Sequence, residues 1–197
     1  MIKGIIFDLD GTLIHLPIKY DIIRKDIQNL FKTNNEFIPL IPSIIQNAPN
    51  DKMIHEAFEI ICKEELVAAD KLEIVDDAID LLNQLHPKFS LGLVTLQCRK
   101  ATEKIISKMG VDNLFSHVLT LDESTDRINQ IEKMVASLDL SSDEVVMIGD
   151  RLNDVVSATK VGCNSILVGN KKLPQNEHKI RVVAKLSDLK NERLLGF

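Results

Sequence analysis

Residues 2–12 read Ile2-Lys3-Gly4-Ile5-Ile6-Phe7-Asp8-Leu9-Asp10-Gly11-Thr12, and the fold is decided here. A short, nearly continuous apolar run is the pattern of a strand buried on both faces, the habit of parallel sheets covered by helices. The run ends in two aspartates spaced two apart, which on an extended chain turn their carboxylates to the same side. Gly11 then permits a sharp exit through which backbone can approach an anion. An isolated Asp-Gly would be read as a simple turn. What sets this one apart is matching chemistry at other strand ends.

Similar apolar runs recur at 89–95, 144–149 and 164–168. Between them lie helical spacings: Ala78, Leu81, Leu82, Leu85; Thr102, Ile105, Ile106, Met109; Ile128, Ile131, Val135, Leu138. Gly110 is placed to end the second of these helices, and Ser142 to Glu144 forms a polar turn before the next strand. Alternating strand and helix predicts an α/β fold, an open parallel Rossmann-like sheet with helices on both faces. The stretch 16–72 breaks the rhythm with helical patterns at Ile23, Ile27, Leu30, Phe31 and Ile54, Ala57, Phe58, Ile61, punctuated by Pro39, Pro42 and Pro49. It reads as a small all-helical cap (16–72) inserted after the first strand of an α/β core (1–15 and 73–197), with hinges at 14–17 and 71–76. The tail offers a short strand at 181–184 and a helix after Ser187.

The 197 residues carry 24 Lys plus Arg against 29 Asp plus Glu, a net charge of −5 without a long basic run, which argues against nucleic acid and anionic membranes as partners. No apolar run approaches the ~18 residues of a membrane span, and the N-terminus lacks the features of a signal peptide. Cys62, Cys98 and Cys163 are odd in number and form no Cys-x-x-Cys pair, so neither a disulfide framework nor a zinc cage is expected. A reduced, cytoplasmic setting follows, with Cys98 a half-buried thiol. The sequence leaves the oligomeric state open.

Two further strand ends carry chemistry. Leu93-Val94-Thr95 offers the Thr95 hydroxyl and the following backbone N–H groups, beginning with that of Leu96, to a phosphoryl oxygen. The stretch Val145-Val146-Met147-Ile148-Gly149-Asp150-Arg151-Leu152-Asn153-Asp154 places one carboxylate at a strand end and another a helical turn later, although Asp150 could also serve only as a helix cap. Four carboxylates converging on one sheet edge repel unless a cation sits among them, and an all-oxygen ligand set favours Mg²⁺. The combination describes phosphoryl transfer with an aspartate nucleophile.

These motifs resemble those of the haloacid dehalogenase superfamily phosphatases, of the phosphoglycolate-phosphatase-like kind with a small helical cap. Asp8 to Thr12 matches the first motif, Thr95 the second and Gly149 to Asp154 the fourth. The resemblance implies a Mg²⁺-dependent phosphoric monoester hydrolase that acts on a small phosphorylated metabolite through a phosphoaspartyl intermediate. It implies that Asp8 attacks phosphorus, that Asp10 acts as acid and then base, and that Gly11, Thr12, Thr95 and Leu96 hold the phosphate. The metal ligands it implies are Asp8, the Asp10 carbonyl and Asp150, with Asp154 adjoining. Dehalogenating relatives lack the second aspartate of the first motif, so Asp10 points to phosphate chemistry, where an alkoxide needs a proton. The usual Lys-Pro of the third motif is missing from Leu121 to Gln130; Arg127 is the expected substitute cation, with Lys133 as runner-up. Two other readings stand beside this one: a sugar-phosphate mutase of the same architecture, and a phospho-accepting regulatory module, against which Asp10 and the cap argue. His15 suits a solvent or hinge role, and Lys19, Tyr20 and Arg24 open the cap.

Overall fold

The computed structural model describes residues 1–169 and 180–191. Its main sheet has six parallel strands in the order β5-β4-β1-β6-β7-β8. These strands are β1 (Gly4–Phe7), β4 (Ser90–Val94), β5 (His117–Leu119), β6 (Val145–Gly149), β7 (Asn164–Val168) and β8 (Ile180–Val183). The helices of the core are α4 (Ala78–Leu85), α5 (Arg99–Met109), α6 (Arg127–Ser137) and α7 (Leu152–Val161).

All four residues of β1 are buried, as its apolar run requires. Their alternation divides the core: Ile5 and Phe7 pack with residues of α4 and α5, while Ile6 faces Ile131, Met134 and Ala158 of α6 and α7. Because β1 lies between β4 and β6, the chain ends of the three strands that carry candidate motifs emerge side by side. Gly110 takes φ +69° and closes α5, in agreement with its expected role as terminator.

Between β2 (Ile14–His15) and β3 (Glu73–Ile74) run three helices, α1 (Tyr20–Phe31), α2 (Leu40–Asn47) and α3 (Asp51–Ala69). They bury a cluster of their own, with Ile23, Ile27, Phe31, Phe37, Ile44, Ala57 and Ile61 at its centre. The expected hinges turn out to be paired: β2 and β3 form an antiparallel ribbon of two residue pairs, Ile14 with Ile74 and His15 with Glu73. Sequence patterning misses this ribbon, and β5 too, because runs of two or three residues are too short to show a period. The tail strand is present as β8, followed by a 3₁₀ turn at Leu186–Lys190 in place of the expected helix; the rest of the tail lies outside the described residues.

The cysteines require a correction. Cys62 of α3 and Cys98, the residue before α5, are joined as a disulfide, although no such bond was expected; Cys163 is buried and takes no part in a disulfide. An odd count says nothing about which cysteines the fold brings together, and these two meet only through tertiary packing of helices 36 residues apart in sequence. The cysteine ground for a reduced setting is lost with it. Among the described residues no helix is long and apolar enough to cross a membrane.

Candidate active site

At the end of β1 the Asp8 N–H donates to the Ile148 carbonyl of β6, and a tight loop then folds Leu13 N–H back onto the Leu9 carbonyl. Gly11 sits in that loop at φ +94°, where a Cβ would stand 2.7 Å from the Asp150 carboxylate; only glycine allows the two motifs to approach so closely. Gly149 serves in the same way at the end of β6, since its Cβ would lie 2.6 Å from that of Asp154. The two glycines therefore let the first turn of α7 reach β1.

The result is a compact carboxylate cluster. Asp8, Asp150 and Asp154 each offer an oxygen, all within 4.8 Å of one another. Asp150 is not the helix cap that its position also permitted: Arg151 is the capping residue of α7, and Asp154 accepts its N–H at 3.2 Å. The Asp10 carboxylate stands outside this triad of side chains, accepting the Leu16 N–H at 2.9 Å, yet it lines the same small cavity of about 30 Å³ as Asp8, Leu96, Gln97, Arg127 and Arg151.

Arg127 is brought into the cluster. Asp126 caps α6 by accepting the Asn129 N–H at 2.8 Å, which sets Arg127 as the first helical residue. From there its Nη2 donates to Asp8 Oδ1 at 2.7 Å, and its Nε lies 3.1 Å from Asp154 Oδ1. Lys133 is two turns away and donates to the Glu123 carbonyl at the surface. Of the two cations considered for the third motif, the structure joins only Arg127 to the aspartates.

Burial raises the pKa of Asp8, and the neighbouring Asp154 adds to this, while Arg127 pulls it down. Asp10 and Asp154 are also raised by burial. An added cation would relieve all three. The Thr12 hydroxyl, fully buried, finds no hydrogen-bond partner among the described residues, a vacancy that typically costs about 1–3 kcal/mol unless a ligand fills it. Thr95 is placed differently from the expectation of a free hydroxyl: it is buried against the Gln97 side chain and also accepts the Gln97 N–H.

Sequence reading passed over Gln97, Gln130, Arg151 and Glu65. Gln130 lies three residues beyond Arg127 on α6, accepts from its Nη1 at 3.1 Å, and donates to the carbonyls of Thr95, Thr120 and Ser124. A polar residue one turn from a candidate cation is the signal that could have found it. Arg151 Nη2 lies 4.0 Å from Asp10 and stands between the Asp8–Asp10 cavity and a second one of about 160 Å³, walled by α1–α3 residues that include Tyr20, Ile41, Ile61 and Glu65.

Glu65 is 3% exposed, and its Oε2 accepts the Cys98 N–H at 2.8 Å. Burial pushes its pKa up to about 8 from 4.5, against the pull of that N–H. Between these values the folded state keeps a proton that the unfolded state has lost, so stability falls as pH rises from 4.5 and levels off above 8. Glu65→Gln is expected to remove this slope, worth on the order of 5 kcal/mol across the window. Denaturant titrations at pH 5 and pH 8 check it; equal declines in both proteins would mean that Glu65 ionises normally.

A model of the haloacid dehalogenase-like hydrolases matches residues 5–168. The chain is 25% identical over 185 residues to a pyrophosphatase, PpaX, of Halalkalibacterium halodurans, covering 85% of this chain and 84% of that one. Its fold superposes on a phosphatase of Thermococcus onnurineus at TM-score 0.70 and 21% identity, with 99% and 98% of the two chains covered. It also superposes on the CbbY protein of Rhodobacter sphaeroides, solved with phosphate, at TM-score 0.71 and 16% identity over 96% of each chain. With four-fifths of its length inside the family model and its aspartates gathered on one sheet edge, the chain belongs to the haloacid dehalogenase-like hydrolases.

Proposed function

We propose that the protein is a Mg²⁺-dependent hydrolase of a small phosphorylated metabolite that works through an aspartyl phosphate on Asp8. One observation carries the proposal: Asp8 shares a cavity with Asp10, is bonded there to Arg127, and offers an oxygen to a cluster with Asp150 and Asp154. The donor set suits the metal, being all oxygen and more negative than Arg127 alone can balance. Asp8, Asp150 and the Asp10 carbonyl would hold Mg²⁺, with Asp154 beside them, and the ion would act as Lewis acid toward the phosphoryl oxygens.

In the first step an oxygen of Asp8 attacks phosphorus as the bond to the leaving oxygen breaks, and Asp10 gives that oxygen its proton. Burial helps keep Asp10 protonated for this role. In the second step Asp10, now a carboxylate, takes a proton from the attacking water, and Asp8 is released. Gly11, Thr12, Thr95 and the Leu96 N–H would cradle the phosphate, and Arg127 would offset its charge. Residues 16–72 would act as a cap that excludes bulk water from a core made of 1–15 and 73–197. The cytoplasm is the proposed location.

Arg151 favours a finer version. A guanidinium between the catalytic cavity and the one beneath the cap would suit a leaving group with its own negative charge, including the second phosphate of pyrophosphate. Rates on pyrophosphate, an anionic monoester and a neutral monoester separate these substrates. Release of inorganic phosphate, as opposed to its return to a sugar, separates hydrolase from mutase.

Excess chelator is expected to abolish turnover of an aryl phosphate, and added Mg²⁺ to restore it. At 100 times its Kd the ion should also stabilise the fold by about 2.7 kcal/mol, because the unfolded chain has no assembled site. Full activity in chelator would overturn the metal assignment, and a stable phosphoprotein without turnover would favour the regulatory module.

A further inference from the structure

We propose that Cys62 and Cys98 form a reversible redox site that latches the cap onto the catalytic core. The polypeptide itself joins the two parts only at the β2–β3 ribbon, whose two residue pairs leave it free to bend. The disulfide adds a third connection, remote from that ribbon in sequence, between the middle of α3 and the start of α5. The remaining α3–α5 seam holds Lys104 on the Leu66 carbonyl and Asp70, and Lys108 on the Ala69 and Asp70 carbonyls, contacts that can open without chemistry. With the sulfurs bonded, α3 cannot swing away from α5.

The bond is tied to the catalytic cavity on both sides. Leu96 and Gln97, which wall that cavity, immediately precede Cys98. Glu65, three residues beyond Cys62 on α3, lines the adjoining cap cavity and accepts the Cys98 N–H. The bond thus closes the α3–α5 seam beside residues that wall both cavities, and a cap held shut there would slow the exchange of substrate and product.

The surroundings suit exchange. A cavity of about 360 Å³ is lined by Cys62, Cys98, His55, Phe58, Arg99 and Lys100, which gives a reagent a route to two sulfurs otherwise buried. Cys98 caps the eleven-residue α5, with the Ala101 N–H 3.4 Å from its sulfur. A sulfur released at Cys98 would stay against that N–H at the helix N-terminus, while Arg99 is taken up by Glu103 and Glu123. A dithiol reductant therefore attacks Cys62 Sγ, breaking the Cys62–Cys98 bond and expelling Cys98 as thiolate. The second thiolate of the reductant attacks its own sulfur in the mixed disulfide and releases Cys62; the reductant is oxidised to a disulfide while the two cysteines gain two electrons and two protons. A low-molecular-weight disulfide reverses the process.

The test uses the full chain equilibrated with excess dithiothreitol or with glutathione disulfide. Mass after alkylation in denaturant is expected to show Cys62 and Cys98 blocked only in the oxidised sample. Turnover of an aryl phosphate should be at least tenfold slower when oxidised, and amide exchange in β2 and β3 should speed up on reduction. Cys62→Ser should turn over equally in both samples, at the rate of the reduced wild type; Cys98→Ala, which perturbs the helix cap and not α3, should be equally indifferent. Failure of the bond to form under the oxidant, an intact bond with unchanged rate and exchange, or a Cys62→Ser protein that still responds would each overturn the latch. A redox difference in exchange without hydrolysis of any phosphate ester would uphold the latch and defeat the hydrolase reading on which the rate arm rests.

Discussion

Asp8→Asn is expected to lower turnover by on the order of ten-thousandfold or more while leaving the sheet intact. An amide cannot serve as the anionic nucleophile, so the loss falls on the bond-forming step and not on substrate affinity. The structure makes the result easy to interpret. Asp8 is a buried carboxylate beside Asp154, and its amide analogue removes a repulsion at almost constant volume. Arg127 keeps Asp154 as its partner. The melting temperature of the variant should therefore equal or exceed that of the wild type above neutral pH, where the native carboxylate is costly to ionise. Loss of turnover in a protein of undiminished stability assigns the chemistry to Asp8. A folded Asp8→Asn protein with near wild-type turnover would remove the phosphoaspartyl mechanism altogether.

Much of the fold was legible because burial writes a strong signal. A strand covered on both faces is mostly apolar: β1 and β6 are so throughout, and β4 and β7 after their polar first residues, Ser90 and Asn164-Ser165; helices covered on one face show the 3.6-residue period. The edge strand β5 starts at an exposed His117 and has only three residues, so neither rule applies to it. The aspartates were legible for another reason, since spacing on an element of known type fixes direction: Asp8 and Asp10 on an extended end, Asp150 and Asp154 one turn apart.

What stayed hidden depends on tertiary contact. Glu65 belongs to α3 and reaches Cys98 across the seam, and nothing local to either residue announces the other. The disulfide was hidden for the same reason, and an odd cysteine count misled because it describes composition and not proximity. Arg151 resembles an ordinary surface arginine until residues of α1–α3 are seen to wall a cavity with it. The Thr95 hydroxyl was expected to await a phosphate, and finding it against Gln97 means that the anion would have to compete with that amide.

Arg127→Ala is expected to cost about a hundredfold in turnover, the effect of removing one charge partner of a transition state. The side chain also sits in the most buried ionic group of the described residues, bonded to Asp8 and paired with Asp154, all three side chains at most 6% exposed. Breaking such a pair leaves charges without compensation and costs about 3–5 kcal/mol in stability, so loss of activity in Arg127→Ala does not by itself separate catalysis from unfolding. Arg127→Lys separates the two effects. Lysine restores the positive charge and the residue type of the usual third motif, but it lacks the fork that lets one guanidinium engage Asp8, Asp154 and Gln130 together. Its turnover should recover by tenfold or more over alanine, while its melting temperature recovers only in part. Lys133→Ala should stay within about threefold of wild type, because its ammonium is an exposed donor to the Glu123 carbonyl. Equal rates for the alanine and lysine variants at equal folded fractions would mean that charge at position 127 does not act on the phosphoryl group, leaving that task to the metal and to backbone donors.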